Sequence, residues 1–391
     1  MNFGIVYILL LILVLVLGLL FGKNHLKMFF FISDILISLP AFFVRPISFQ
    51  YFDTIRFSNL LDQIRGIVNV SGSIGGLQWA LQNSEYHAQP LVAGYLWIFS
   101  LLKYNGFLFG VTTFIFLMFL SGILLNIEKI YPYTSTSLIV IKTVILMTFN
   151  LFFQIEGIRN FLAFIIFAFA LTEDVLKNSK KNKLCVYILY LIAVLIHPST
   201  LIFVVIRIIV GFRQISIFNT IFYDCFWVLF FLMYNRFIEL IVSILQKFSS
   251  ISFINYVYLK SQSYLYGQAN YKAYASQHEI IFTSLILVIL FIEFIFYMII
   301  SRKENAVNRA YIIAYLYSIA FTIGSFQNTQ VYLRAIEMIL FLSIPLKARL
   351  FNFNKANNNV YIVLLYEILI VFFAIVAFAF WYTSTYVKVL I

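Results

Sequence analysis

Four uninterrupted apolar runs, Phe3–Phe21, Gly106–Leu125, Ile280–Ile300 and Tyr361–Trp381, restrict what this chain can fold into. Each is long enough to cross a bilayer, which takes about 20 residues of helix. A helix that is apolar all round belongs in lipid or in the centre of a large core, not on a wet surface. Composition agrees: 63% of the 391 residues are hydrophobic and 11% are charged, with a mean hydropathy of +0.97. Soluble domains are about 45–50% apolar and about 25% charged. The chain is therefore expected to be an all-α polytopic membrane protein, one integral membrane domain over residues 1–391.

The net charge of +12 does not point to nucleic acid. Most Lys and Arg fall in short segments between apolar runs, where positive charge marks the cytoplasmic side. Lys23 and Lys27 follow the first run, which places the N-terminus outside. Lysines crowd Thr172–Lys183 and mark another inner loop. Carried along the chain, this pattern gives about 12 crossings with both termini outside. Two long outer stretches result, residues 44–105 and 235–279. In the first, Pro90–Leu102 is moderately apolar and follows a polar run, so it is expected to be re-entrant or interfacial. Residues 1–21 lack a basic leader and an obvious cleavage site, and read as a retained helix. Cys185 and Cys225 make neither a disulfide framework nor a metal site. No Gly-rich phosphate loop, His-Glu-x-x-His or paired-Cys motif occurs, so neither nucleotide, cofactor nor metal is expected.

Against this topology two arginines are misplaced. Arg159, in Ile158-Arg159-Asn160-Phe161-Leu162-Ala163, and Arg334, after Gln327-Asn328-Thr329-Gln330, open apolar helices at the outer surface. The positive-inside rule would put them in the cytoplasm. A guanidinium offers a planar fork of donors that matches phosphate oxygens, and a helix N-terminus adds partial positive charge. An anionic ligand is expected there. The structural alternatives are pairing of Arg159 with Glu156, pairing of Arg334 with Glu337, or snorkelling to headgroups. His197 precedes Pro198, which ends the helix before it. Its imidazole can handle a proton, or simply satisfy the broken backbone. Arg56, Asp62, Glu85 and His87 lie in the first outer stretch, and Gln330 before Arg334 can bind sugar hydroxyls. Tyr264 and Tyr266 belong to a tyrosine-rich segment of the second stretch. Aromatic faces with polar tips suit sugar rings, and interfacial belts equally. As general base, His197, Asp53, Asp62 and Glu85 all stand open.

Arg159-x-x-x-Ala163, followed after one basic loop by Ala193-x-x-x-His197-x-Ser199, resembles the EpsG family of polysaccharide-biosynthesis membrane proteins, which includes Wzy-type repeat-unit polymerases. Arg334 resembles that family's C-terminal arginine. Asp53 and Asp62 are loose counterparts of a tight Gly-x-Asp-x-x-x-Tyr run, and Glu85-Tyr86-His87-Ala88-Gln89-Pro90 stands where the family often has Glu-Pro. The resemblance implies a glycosyltransferase-type polymerase in a bacterial inner membrane. Its substrate would be an undecaprenyl-diphosphate-linked glycan, with a flippase and a chain-length regulator as partners. Arg159 and Arg334 would hold the diphosphate, and His197 would act in catalysis. A flippase and a membrane glycan acyltransferase are the competing expectations.

Overall fold

The computed structural model describes residues 2–22, 25–44, 53–87, 89–130, 135–176, 183–213, 220–250, 255, 258–259, 262, 277–300, 309–352 and 360–386. Every secondary-structure element formed by these residues is a helix, joined by short turns. Among the described residues, five helices are long and apolar enough to cross a membrane: Phe3–Phe21 (α1), Leu26–Phe43 (α2), Gly106–Ile130 (α5), Gln277–Met298 and Leu364–Ser384. A bent pair, Thr220–Leu232 and Tyr234–Lys247, raises the number to six if taken as one span. Other expected crossings fold as shorter helices. The 14 residues of Ile158–Leu171 (α8) rise only about 21 Å at ~1.5 Å per residue, short of a ~30 Å hydrocarbon core.

The chain forms two compact units, residues 1–201 with 347–391, and residues 202–346. In the first, α1 shows why lipid is the expected solvent. Phe3, Tyr7, Leu11, Val14 and Gly18 face inward at helical spacing. The opposite face is just as apolar, with Leu9, Leu20 and Phe21 more than half exposed. Small residues let helices approach: a Cβ at Gly18 would lie 2.7 Å from both Ile139 and Phe29. Gly110 on α5 faces the Phe42 ring of α2 in the same way.

The first stretch expected to lie outside is more helical than its polarity implied. Asp53–Gln82 (α3) runs as a helix kinked at Gly72, where φ is +73°, a conformation open to glycine and strained for other residues. Pro90–Ser100 (α4) returns along it, and the Trp97 indole donates to the Ser73 carbonyl at 2.9 Å.

The apolar stretch Leu138–Phe153 is broken in two. Ser135–Thr148 (α6) ends, and Leu151–Glu156 (α7) starts after Asn150. The backbone groups freed by this buried break are taken up by polar tips of neighbouring side chains. Tyr7 donates to the Leu146 carbonyl (2.8 Å) and the Trp381 indole to the Thr148 carbonyl (2.9 Å). The Leu151 N–H donates to the Tyr386 hydroxyl (3.0 Å), and the Asn150 side chain accepts from the N–H groups of Phe152 and Phe153. In a bilayer this satisfaction is what permits a break.

An ion pair is sealed between α2 and α6. Lys142 Nζ lies 2.6 Å from Asp34 Oδ1 and donates to Ser33 Oγ at 2.6 Å. Ser121 on α5 donates to the same carboxylate oxygen, and the Phe30 ring lies under the ammonium. The two side chains are 2% and 1% exposed, so each charge depends on the other.

In the second unit, Arg309–Gly324 packs on Thr220–Leu232, with Gly324 against the Phe231 carbonyl. Arg213 grips Asp224 through two hydrogen bonds of 2.7 Å, and Tyr317 donates to that carboxylate at 2.8 Å. Thr329–Leu342, which carries Arg334, is capped by Asn328, and its Tyr332 hydroxyl bonds Ser284.

The buried pair gives a direct test. Lys142→Met, which strands Asp34, is expected to destabilise the protein by about 3–5 kcal/mol, and the double change with Asp34→Leu to recover most of that. Thermal denaturation of the detergent-purified variants checks both.

Candidate anion-binding site

Three segments of the first unit converge on Tyr86: the first turn of α3, the turn at residues 83–87, and the start of α8. The turn is fixed locally. Ser84 Oγ accepts from the Tyr86 N–H at 3.2 Å, and the Gln89 N–H donates to the Tyr86 carbonyl at 2.7 Å. The Tyr86 ring is buried and stacks on Phe57 of α3, with centroids 5.9 Å apart.

Arg56 Nη2 donates to the Tyr86 hydroxyl at 2.9 Å. It also pairs with Asp53 (3.0 Å) and, through Nε, with Glu85 (3.3 Å). Arg159 lies over the face of the same ring, 4.3 Å from its centroid, and donates to Gln89 Oε1 at 3.0 Å. One tyrosine thus holds two guanidinium groups, one by its oxygen and one by its π face. The Gln89 amide and the Tyr86 ring that Arg159 meets here are neutral groups. Burial pushes the Tyr86 phenol up to about 12, so it stays uncharged at any working pH and does not repel an anion. Arg56 and its acidic partners are partly open to solvent, with side-chain exposures of 44%, 35% and 43% for Arg56, Asp53 and Glu85. The Arg159 end meets the N-terminus of α8, whose capping position is Gly157.

Glu156, set three residues before Arg159, is engaged elsewhere. Its Oε1 accepts from the Thr54 hydroxyl at 2.7 Å and its Oε2 from the Thr54 N–H at 3.3 Å. The carboxylate therefore caps the N-terminus of α3 from another helix. Burial pushes it up to about 7, against the Thr54 hydrogen bonds, which favour the charged form.

The other expected site residues fall in different places. Asp62 pairs with Arg65 and accepts from Asn105, while Arg65 also donates to the carbonyls of Ser100 and Leu102. That network ties α3 to the end of α4, a structural duty. His197 caps the 3-10 turn Pro198–Thr200: its Nδ1 accepts from the Ser199 N–H and lies 2.6 Å from Ser199 Oγ. His87 Nδ1 lies 3.0 Å from the Ser84 carbonyl. Arg334 and Gln330 belong to the second unit, and the Arg334 charge acts on Glu337 one turn on. Tyr264 and Tyr266 lie outside the described residues. Among the described residues, no three His, Cys, Asp or Glu side chains are grouped to hold a metal.

Sequence reasoning found Arg159, Arg56 and Glu85, and missed Tyr86, Gln89 and Thr54 as their company. Glu156 entered only as a partner for Arg159. No protein-family model, curated protein or solved structure matches the chain.

Glu156 supplies a sign test. Its value in the fold, about 7, exceeds the ordinary 4.5. The fold therefore favours its protonated form, a contribution complete below the ordinary value and lost as pH rises through about 7. Glu156→Gln, always neutral, is expected to gain thermal stability relative to the wild type as pH is raised across that window, read as melting temperature against pH.

Proposed function

We propose that this chain is a membrane polysaccharide polymerase. It joins undecaprenyl-diphosphate-linked oligosaccharide repeat units by glycosyl transfer at the outer face of a bacterial inner membrane. The observation that carries the reading is the pair of arginines, Arg56 and Arg159, gathered on Tyr86 beside the start of α8. A diphosphate leaving group needs its developing charge neutralised as the glycosidic bond breaks. Arginine does this with a permanently charged fork that matches phosphate oxygens. Glu85, Asp53 and Gln89 add acceptors and a donor suited to sugar hydroxyls close to that charge.

In this reading the chain crosses the membrane about 12 times with both termini outside, by the distribution of Lys and Arg. Of the segments shorter than a full span, α8 is buried among its neighbours, whereas Lys183–Ile196 and Leu201–Phe212 keep apolar residues such as Leu184, Leu191 and Phe212 exposed. Arg334 and Gln330, in the second unit, offer groups of their own for a diphosphate and sugar hydroxyls, Tyr264 and Tyr266 contribute sugar platforms, and His197 caps the helix break at Pro198. Asp62 supports the outer helical pair. The protein works with a flippase that delivers lipid-linked units and a chain-length regulator, and uses neither cofactor nor metal.

A deletion strain complemented with variants tests this. Surface glycan is expected to fall to a single repeat unit in the deletion strain and in Arg159→Ala, with Arg159→Lys restoring part of the ladder. Tyr86→Leu, which removes the platform of both arginines, is expected to resemble Arg159→Ala. If lipid-linked units instead accumulate on the inner side and none reaches the surface, the protein is a flippase.

A further inference from the structure

On that polymerase reading, we propose that Glu156 is the group that takes the proton from the acceptor hydroxyl. Geometry singles it out among the acidic groups of the site. Asp53 and Glu85 are both engaged by Arg56, and Asp62 by Arg65 and Asn105. Glu156 is held by hydrogen-bond donors of Thr54, one to each oxygen, which fix the carboxylate and leave further lone pairs on it. It is partly exposed. It also stands where the two arginine-bearing segments meet: Thr54 lies two residues before Arg56, and Glu156 three before Arg159.

The groups acting on it are Asp53 and Thr54 from α3, and Arg159 follows it in the chain across Gly157. Asp53 acts twice, since its charge opposes ionisation while its backbone bonds the carboxylate. Burial outweighs these hydrogen bonds and brings the group to about 7, where a base both holds the right protonation state and accepts a proton readily.

The step balances without an added reagent. The acceptor hydroxyl oxygen forms a bond to the anomeric carbon of the lipid-linked glycan as its proton passes to a Glu156 oxygen. The bond from that carbon to the diphosphate oxygen breaks, and the diphosphate leaves with the electron pair, its charge met by Arg159 and Arg56. Water then takes the proton from Glu156.

A capping carboxylate with a purely structural duty predicts something different, and pH separates the two. The assay uses purified full-length protein and the lipid-linked glycan fraction extracted from the deletion strain, with chain lengthening followed across a pH series bracketing neutrality. Wild-type rate is expected to rise through about 7, following the Glu156 ionisation. Glu156→Gln is expected to lose roughly a hundredfold or more, and with it the acid limb. Thr54→Val, which removes the hydroxyl bond favouring the charged form, is expected to shift that limb to higher pH. A Glu156→Gln enzyme as fast as wild type with the same limb overturns the assignment and leaves the polymerase reading standing. If Glu156→Gln does not fold, Thr54→Val decides, and an unmoved limb overturns the assignment. A wild-type protein that lengthens no chains overturns the polymerase reading and this assignment together.

Discussion

The break between α6 and α7 is the constraint from which the site follows. A helix that stops inside an apolar bundle frees carbonyls and N–H groups that hydrocarbon cannot satisfy. Here Tyr7, Trp381 and Tyr386 reach in from both ends of the chain, and Asn150 caps the new helix from within. Their polar tips satisfy the break, and after the short α7 Gly157 leads the chain into α8.

The site built on this turn economises on charge. Two guanidinium groups share one neutral phenol, and Arg56 also pairs with the carboxylates of Asp53 and Glu85. Stacking on Phe57 fixes the ring, and the ring fixes the cations. The pair Lys142–Asp34 solves a different problem. Its members are almost wholly removed from solvent and bind three helices together, so they account for a charged residue in each of two apolar helices by structure alone. The same rule, that ionisable groups at membrane depth are retained for a reason, thus covers both a candidate site and a structural lock.

Much of the fold was legible. All-helical class and the longest apolar helices follow from composition and run length, and α1 and α5 fold close to the runs that predicted them. Less was legible where glycine and polarity mask helix. Val70-Ser71-Gly72-Ser73-Ile74-Gly75-Gly76 reads as loop, yet it is the kinked middle of α3, because α4 packs beside it and Trp97 closes the pair. Of the site, Arg159 announced itself by its position against the charge rule. Tyr86 and Gln89 carried no such signal, since an aromatic and an amide in a polar turn are ordinary there.

The sequence by itself determined what kind of solvent this chain folds in and which arginines stand out, because run length and charge placement are local properties of the chain. Tertiary structure alone decided which groups meet them. Thr54 and Glu156 are 102 residues apart in the chain, Arg159 and Gln89 70. Contacts across such separations depend on how helices break and pack, and no spacing along the sequence encodes that.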